Sequence, residues 1–314
     1  MTNAQASSVA ARSQRPGLAT MPVIVDTVIG HRPDDAVALT MAARLLPVSL
    51  VVTADELRHG NRARLARFQM NLLGRPGVPV VAGGQLPAAE TRWFADGIVS
   101  DDTELHTDSF LESLDWVMRN QNRPLHWVVS GPATNLAWAL QQRPGLAERL
   151  VVTWAVGERH MRLDPGAAVQ VLRSRLLDLS LVLVDSVPHP GTGIGPGSRV
   201  YHALQGQRRQ KWATVVRNCY DQSFNQQRPG MRLEAPLAVV AATGRRIVAC
   251  EDARFDLSDD GRIHLHPNGD HWARIATDTT YRAINDRVTT LLALFGHAGG
   301  YAPDLLDFLG EQQR

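Results

Sequence analysis

The sequence predicts an α/β protein with a doubly wound, mainly parallel sheet and helices on both faces. Two observations predict this fold class. Short apolar runs such as "PVIVDT", residues 22–27, are suited to strands buried in a parallel sheet. From there onward such runs alternate with longer segments whose apolar residues recur at helical spacing, which is the order of a doubly wound sheet.

The first helix has the clearest start. In "PDDAVALTMAARLL", residues 33–46, Pro33 stands at the beginning, and Asp34 and Asp35 lie in the first turn, where acids favour a helix N-terminus. The next helices are predicted in "NRARLARFQMNLLG" (61–74), "SFLESLDWVMRN" (109–120), "PATNLAWALQQ" (132–142) and "PGAAVQVLRSRLL" (165–177). The strands between them are predicted in "VSLVVTA" (48–54), "VPVVAG" (78–83), "LHWVVSG" (125–131), "RLVVTWAVG" (149–157) and "LSLVLVDS" (179–186).

The region after residue 187 is less regular. A Gly/Pro-rich loop is followed by a long helical segment that contains Trp212 and Tyr220. "GRRIVAC" (244–250) and "GRIHLHP" (261–267) are predicted to form an antiparallel pair, and "TYRAINDRVTTLLALFG" (280–296) a closing helix. We expect a disordered leader at 1–20 and a single domain at 21–314.

The composition excludes several classes of protein. The 314 residues are 44% apolar and carry a net charge of +2 spread along the chain, which gives no basic patch for nucleic acid or a membrane surface. Cys219 and Cys250 stand far apart and form no metal-binding or disulfide pattern, as is typical of a reduced, cytoplasmic protein. We also expect no signal peptide and no membrane-spanning segment, because no apolar run is long enough.

The predicted topology places a site at the carboxyl ends of the strands, where open parallel sheets bind ligands. The residues that follow the strands are rich in acids. Such a cluster either holds a hard cation such as calcium or performs acid/base chemistry on a polyhydroxylated ligand. The residues expected there are Asp26, Asp34, Asp35, Asp55, Glu56, Ser130, Trp154, Glu158, His160, Asp164 and Asp185.

Five segments carry a more specific signal. They are "VIVDTVIGHRPDDAVAL" (23–39), "GRPGVPVVAG" (74–83), "VVSGPATNLAWAL" (128–140), "VGERHMRLDPGAA" (156–168) and "MRLEAPLAVVAA" (231–242). In this order and spacing they resemble the motifs of the inosine-uridine-preferring nucleoside hydrolase family, whose first motif reads DTDxGxDD. The resemblance spans about residues 22 to 245 and implies that family's fold.

The resemblance also implies a chemistry. In the family, calcium is held by aspartates of the first and the late motif and by a carbonyl after the fourth strand. An Asp of the first motif activates a metal-bound water, which attacks the anomeric carbon of ribose as the base departs. In this chain Asp35 matches a metal ligand and Glu158 a sugar contact. The residues that match family positions are Asp26, Asp34, Asp35, Ser130, Glu158 and Asp164.

The departures from the family pattern fall on the chemistry. Val28 stands at the position of the Asp that binds metal and activates water, and Ala235 at that of the last metal-binding Asp. Glu234 replaces the family's His, and His160 replaces a sugar-binding Asn. Calcium takes six to eight oxygen ligands and binds more tightly as carboxylates are added. With two carboxylates missing, and with Arg32 able to point inward, we expect no metal and no other cofactor.

Each candidate also has a plain structural explanation. Asp34 and Asp35 are acids at a helix N-terminus, where acids are common. Glu158 and His160 are residue types that are common in surface loops. The "GTGIGPG" segment, residues 191–197, resembles a phosphate-cradling loop, but it does not lie between a clear strand and helix. We therefore expect it to be a lid over the pocket.

Three hypotheses follow. The favoured one is an enzyme that acts without calcium on a nucleoside-like, glycosyl or cyclic small molecule, as in specialised metabolism, because His160 and Glu234 bring new titratable groups. The others are a non-catalytic small-molecule-binding homologue and an ordinary nucleoside hydrolase. The resemblance suggests a homodimer or homotetramer. The expected acid/base set is Asp34, Asp35, Glu158, His160, Glu234 and His31. The expected substrate contacts are Asp26, Asp55, Glu56, Ser130, Trp154, Asp164 and Asp185.

Overall fold

A nine-stranded sheet forms the centre of the computed structural model. Its strand order is β3-β2-β1-β4-β5-β6-β9-β7-β8. The described residues are 18–54, 60–87, 92–99, 102–184, 193–226, 232–244, 248–258, 262–279, 281–297 and 300–309. The strands are β1 (Val23–Thr27), β2 (Val48–Thr53), β3 (Val80–Ala82), β4 (Leu125–Val129), β5 (Leu150–Val156), β6 (Asp178–Leu183), β7 (Val248–Leu257), β8 (Ile263–Leu265) and β9 (His271–Thr279).

The first six strands are parallel and doubly wound, as predicted. Strand β1 pairs with β2 on one side and with β4 on the other, so the order of the strands reverses between β1 and β4. Strand β9 continues the parallel sheet beside β6, whereas β7 is antiparallel to both β9 and β8. In a doubly wound sheet, a crevice opens where the strand order reverses, at the carboxyl ends of the strands.

Helices cover both faces of this sheet. Successive residues of β1 point to opposite faces, so Val23 and Val25 join one buried apolar cluster and Ile24 joins the other. The first cluster lies under α1, α2 and α7–α10, and the second under α3, α4 and α6. The helices are α1 (Pro33–Leu45), α2 (Asn61–Leu72), α3 (Phe110–Asn120), α4 (Thr134–Gln142), α5 (Glu158–Leu163), α6 (Pro165–Arg173), α7 (Arg199–Gly206), α8 (Lys211–Asn225), α9 (Ala235–Ala242) and α10 (Tyr281–Leu294). None of these helices combines the length and apolar character needed to cross a bilayer.

The carboxyl-terminal strands differ from the prediction. The predicted antiparallel pairing of 244–250 with 261–267 is wrong. Val248–Cys250 pairs with β9, and Ile263–Leu265 pairs with Phe255–Leu257 at the other end of β7. Strand β9 was not predicted, since its run "HWARIATDT" mixes charged and apolar residues without a clean alternation. Of the predicted leader, residues 1–17 lie outside the described residues, and Leu18–Thr20 form one turn of 3-10 helix.

The loop after β1 is held by a buried arginine and a tightly packed glycine. Arg62 of α2 donates hydrogen bonds to the carbonyls of Val28 and Ile29 at 3.2 and 2.9 Å. Gly30 has a φ of +83°, and a Cβ added there would lie 2.4 Å from the ring of Trp93. The loop therefore requires glycine at this position, and its fixed path directs the next residues toward the crevice.

Gly30→Ala is expected to lower the free energy of unfolding by about 1–3 kcal/mol, the range for overpacking a well-filled site. Urea denaturation measures this loss. Gly77→Ala is the matched control, because an added Cβ there meets nothing within 4 Å. Equal losses in the two variants would show that the loop after β1 is not tightly packed.

Candidate active site

A small cavity lies at the carboxyl ends of β1, β3, β4 and β5, where the strand order reverses. Its volume is about 10 Å³, which is space for about one water molecule. Pockets that hold drug-sized ligands measure about 300–1,000 Å³, so a larger ligand requires the walls to move. The cavity is lined by Val28, His31, Arg32, Asp35, Leu86, Ser130, Pro132, His160 and Leu163.

Arg32 contacts three different acceptors at this site. Its Nε donates to Asp34 Oδ1 at 2.9 Å, and its Nη1 lies 2.9 Å from Glu234 Oε2. Its Nη2 donates to the carbonyl of Arg232 at 3.0 Å. Burial opposes the charge of this guanidinium, but Asp34 and Glu234 outweigh burial and raise the pKa of Arg32 above its usual value. Arg32 is therefore a permanent buried cation with carboxylate partners.

Asp34 is fully buried and supports the start of a helix. Its Oδ2 accepts the backbone N–H groups of Glu234 and Ala235 at 2.8 and 3.0 Å, at the N-terminus of α9. Its Oδ1 is taken by Arg32. Each carboxylate oxygen thus has a structural partner, and Asp34 does not line the cavity. Glu234 likewise pairs with Arg32 and is not among the lining residues.

Asp35 is the carboxyl group that lines the cavity. Its Oδ2 accepts the backbone N–H of Arg32 at 3.1 Å, at the start of α1. Burial, together with the neighbouring charge of Asp34, raises the pKa of Asp35 to about 8. At neutral pH this side chain is therefore mostly the neutral acid and can donate a hydrogen bond or a proton.

The two histidines of the cavity are neutral, because burial and nearby arginine charges disfavour the protonated ring. Burial and the charge of Arg159 lower the pKa of His31 to about 2, and Arg159 Nη2 is hydrogen-bonded to His31 Nε2. Burial and the charge of Arg32 lower the pKa of His160 to about 3. The ring of His160 bonds the backbone of Ala155, while its buried Nδ1 has no hydrogen-bond partner within the part of the chain that the structure describes.

Asp26 lies at the end of β1 as a buried anchor. It accepts hydrogen bonds from Asn135 Nδ2 at 2.9 Å and from Trp127 Nε1 at 3.2 Å. Burial raises the pKa of Asp26 to about 7, although these two bonds oppose the rise. Asn135 also donates to the carbonyl of Thr53 and accepts from Gly84 N–H, so it joins the ends of β1, β2 and β3.

Other predicted contacts also have structural partners. Ser130 lines the cavity, and its N–H donates to the carbonyl of Asp26 at 2.9 Å. Trp154 is fully buried, and its indole N–H donates to the carbonyl of Gly131 at 2.8 Å. Asp164 caps α6 by accepting from Ala167 N–H and also accepts from the Thr134 hydroxyl. Of these three predicted contacts, only Ser130 reaches the cavity wall.

Among the remaining predicted residues, Glu158 does not line the cavity. The side chain of Glu158 is 43% exposed and pairs with Arg262 at 3.2 Å and with Arg162 at 3.7 Å. Asp55, Glu56 and Asp185 lie outside the described residues, as does part of the predicted lid. Within the described part of the predicted lid, Gly193 forms an isolated bridge with Arg232.

Sequence reasoning missed several residues that shape the site. Leu86, Pro132 and Leu163 close the cavity, and Arg62 and Arg159 set its backbone path and its electrostatics. Leu163 and Pro132 stand beside recognised motif residues, which is the only signal that could have pointed to them. Nothing in the spacing of the arginines distinguishes the buried Arg62 from the partly exposed Arg64 and Arg67 on α2.

The donors present do not fit a calcium ion. Val28 and Ala235 are buried and apolar, and the N–H of Ala235 is already bonded to Asp34. The Arg32 guanidinium forms ion pairs with Asp34 and Glu234 at 2.9 Å each. Among the described residues there is no group of three or more His, Cys, Asp or Glu side chains placed to hold a metal. Calcium would need six to eight oxygens, and a cation already lies among the acids.

The fold and the location of the cavity define an α/β protein with a ligand site at its switch point, and sequence comparison identifies its family. A sequence profile of the family "Inosine-uridine preferring nucleoside hydrolase" matches residues 23–286. Because this match covers most of the 314 residues, the chain belongs to the inosine-uridine preferring nucleoside hydrolase family.

Individual relatives are more distant. The "Pyrimidine-specific ribonucleoside hydrolase RihA" of Salmonella schwarzengrund is 30% identical over 182 residues, with 49% of this chain and 57% of that protein covered. The chain therefore spans little more than half the length of this relative. The plant nucleoside hydrolase PpNRh1 has a TM-score of 0.69 at 17% identity, with 90% of this chain and 100% of that chain covered.

Two further solved structures share the fold. The inosine-uridine preferring nucleoside hydrolase of Bacillus anthracis has a TM-score of 0.68 at 14% identity, with 87% and 99% of the two chains covered. The type III effector protein XopQ, solved with adenosine diphosphate ribose, has a TM-score of 0.68 at 16% identity, with 95% and 100% covered. The TM-scores of these structures confirm the predicted fold. Because the sequence identities are only 14–17%, the likeness shows the fold alone.

Asp34→Ala is expected to destabilise the protein by about 3–5 kcal/mol, because it leaves the buried Arg32 charge with one carboxylate fewer and two helix N–H groups without an acceptor. Asp164→Ala, which removes only a helix cap and one hydroxyl contact, is expected to cost about 0.5–2 kcal/mol. Urea denaturation of both variants gives the comparison. If Asp34→Ala lowers the free energy of unfolding no more than Asp164→Ala does, Asp34 is an ordinary acid at a helix N-terminus.

Asp35→Asn is expected to gain stability relative to wild type as the pH rises from 5 to 8. The folded pKa of Asp35 is raised above its unfolded value, so the folded state holds a proton that the unfolded state has released. The stability of wild type therefore falls as pH rises between about 4 and about 8, and the variant lacks this loss. Urea denaturation at both pH values measures it. Asp115→Asn is the control, since Arg143 lowers the pKa of Asp115 and both states are ionised throughout this range.

Proposed function

We propose that the protein acts on the N-glycosidic bond of a ribosyl compound without calcium, with Asp35 and His160 as its acid and base. The observation that carries this proposal is that a carboxyl group and an imidazole line one enclosed cavity at the switch point of the sheet. Membership of the nucleoside hydrolase family supports the bond and the substrate class.

Asp35 is suited to protonate the leaving base. Its raised pKa keeps the proton on the carboxyl group at neutral pH, and it stands on the first turn of α1, which is a rigid element. The other acids nearby, Asp34 and Glu234, are ion-paired with Arg32.

His160 can accept a proton from water as a weak base, since burial and the charge of Arg32 lower its pKa to about 3. The nitrogen that bonds the backbone of Ala155 carries the hydrogen, so the buried Nδ1 carries a lone pair. In the proposed step, water adds to the anomeric carbon and gives a proton to His160, while the bond to the base breaks and the base receives a proton from Asp35. The products are free base and ribose, and His160 returns the proton to Asp35 through solvent.

The nature of the ribosyl compound is set by size as well as by chemistry. The cavity of about 10 Å³ has room for the attacking water but not for a nucleoside, so Leu86, Pro132 and Leu163 must separate to admit one. Relatives are named for pyrimidine and for purine nucleosides, and XopQ was solved with adenosine diphosphate ribose. The ribosyl group is the part that these ligands share.

A second candidate is a non-catalytic protein that binds such a ligand. The closed cavity favours it, as does the use of Asp34 and Glu234 as structural partners of Arg32. The first candidate is preferred because Asp35 and His160 remain without a structural ion pair in the described structure. The homodimer or homotetramer suggested by the resemblance stays a prediction.

The assay measures base release from inosine and uridine, and adenine release from adenosine diphosphate ribose, with and without EDTA. We expect slow release that EDTA does not change. Asp35→Asn and His160→Gln are expected to lower the rate about 10²-fold or more, as for loss of a general acid or base. Asp115→Asn and His202→Gln are matched controls on the surface and are expected to keep the wild-type rate.

Three outcomes separate the hypotheses. Release that survives EDTA and is lost in the two site variants supports the proposal. Saturable ligand binding without release, measured by calorimetry, favours the non-catalytic candidate. Rapid release that EDTA abolishes would show an ordinary calcium-dependent hydrolase and would overturn the proposed mechanism.

A further inference from the structure

Arg32 joins segments that are distant in the sequence. It stands in the loop after β1, and its guanidinium contacts Glu234 and the carbonyl of Arg232, two hundred residues later. Arg232 in turn bridges Gly193. One side chain therefore holds the β1–α1 loop against the segment that leads into α9.

Asp34 strengthens the same connection. It bonds Arg32 through one oxygen and the first N–H groups of α9 through the other. The carboxylate thus lies between a guanidinium and the positive end of a helix, and both stabilise its charge. The four contacts between these segments are 2.8 to 3.0 Å long.

The segments that Arg32 joins are those from which the family resemblance draws the carboxylates of the metal. The metal-ligand positions of the first motif are Val28 and Asp35, and that of the late motif is Ala235. We propose that the Arg32 guanidinium is an internal cation that replaces calcium in holding the β1–α1 loop to the N-terminus of α9. This inference rests on the calcium-free half of the proposed function and not on its catalytic half.

Arginine suits this role for geometric reasons. Its planar group presents separate N–H donors in fixed directions, whereas lysine offers one compact charge. In Arg32 the Nε, Nη1 and Nη2 atoms each meet a different acceptor. With 13% of the side chain exposed, these contacts are little screened by solvent. An alternative role as an anchor for an anionic ligand fits less well, because all three nitrogens already have protein acceptors.

The test uses thermal unfolding of the full chain with and without calcium chloride. Arg32→Ala is expected to lower Tm by roughly 5–10 °C, the shift that loss of a buried ion-pair partner gives in a protein of this size. Calcium is expected to change neither wild type nor this variant. Arg143→Ala, which breaks the half-exposed pair with Asp115, is the matched control and is expected to shift Tm by no more than about 2 °C.

A reconstructed site provides the stronger test. In the triple variant Arg32→Ala, Val28→Asp, Ala235→Asp, the cation is removed and the two missing carboxylates are restored. We expect calcium to raise its Tm by several degrees and to bind with a heat measurable by calorimetry, while magnesium has a smaller effect. This readout does not depend on catalysis, so a failed base-release assay would leave it unchanged.

Arg32→Lys guards against a variant that does not fold. Lysine keeps the positive charge but lacks the planar guanidinium with its several donors. The Tm of this variant is expected to lie between those of wild type and Arg32→Ala. The proposal would be overturned by an Arg32→Ala shift no larger than that of Arg143→Ala, by a calcium-dependent Tm in wild type, or by a triple variant that ignores calcium. A ligand-binding defect in Arg32→Lys with an unchanged Tm would also overturn it, in favour of a ligand anchor.

Discussion

The buried charge of Arg32 is the constraint on which the arrangement of the site depends. A guanidinium that is largely removed from water must be paired with carboxylates and fully hydrogen-bonded. Here the pairing is met by Asp34 and Glu234, and the third acceptor is the carbonyl of Arg232. Because these partners come from two distant segments, satisfying one charge also fixes the β1–α1 loop against α9. The two acids that meet this demand are unavailable for other chemistry.

The same charge sets the protonation of the cavity. Burial and the positive charges of Arg32 and Arg159 keep His31 and His160 neutral, whereas burial beside Asp34 keeps a proton on Asp35. The cavity wall therefore presents a neutral acid and neutral imidazoles in place of the anionic cluster that the sequence suggested. Such a wall suits hydroxyl groups and water better than a metal cation, since calcium affinity rises with the number of carboxylates.

The sequence could predict the fold because its signal is local and repeated. An apolar run such as that of β1 predicts a strand, and a start such as Pro33 to Asp35 predicts a helix, whatever the surrounding structure. Strand β9 carries no such signal, and its place in the sheet comes from pairing with β6 and β7. For the site, spacing could place Asp34 and Asp35 side by side at the right strand end. It could not predict that one would cap a helix two hundred residues away while the other faced the cavity, because that choice depends on Arg32 and α9.

The small volume of the cavity means that it must open for either candidate function. Leu86, Pro132 and Leu163 follow different strands, so admitting a ribosyl ligand means moving lining residues of three separate segments. The ligand must restore the buried apolar area that is lost, and a ribose with an attached base offers both an apolar face and hydroxyl groups for this. Opening is thus required for a binding protein and for an enzyme alike. What separates them is whether Asp35 and His160, which are held by α1 and α5, keep their protonation states once water has entered. Burial is the largest cause of both pKa shifts, so entering water moves both pKa values toward their ordinary values, while the charges of Asp34 and Arg32 stay in place.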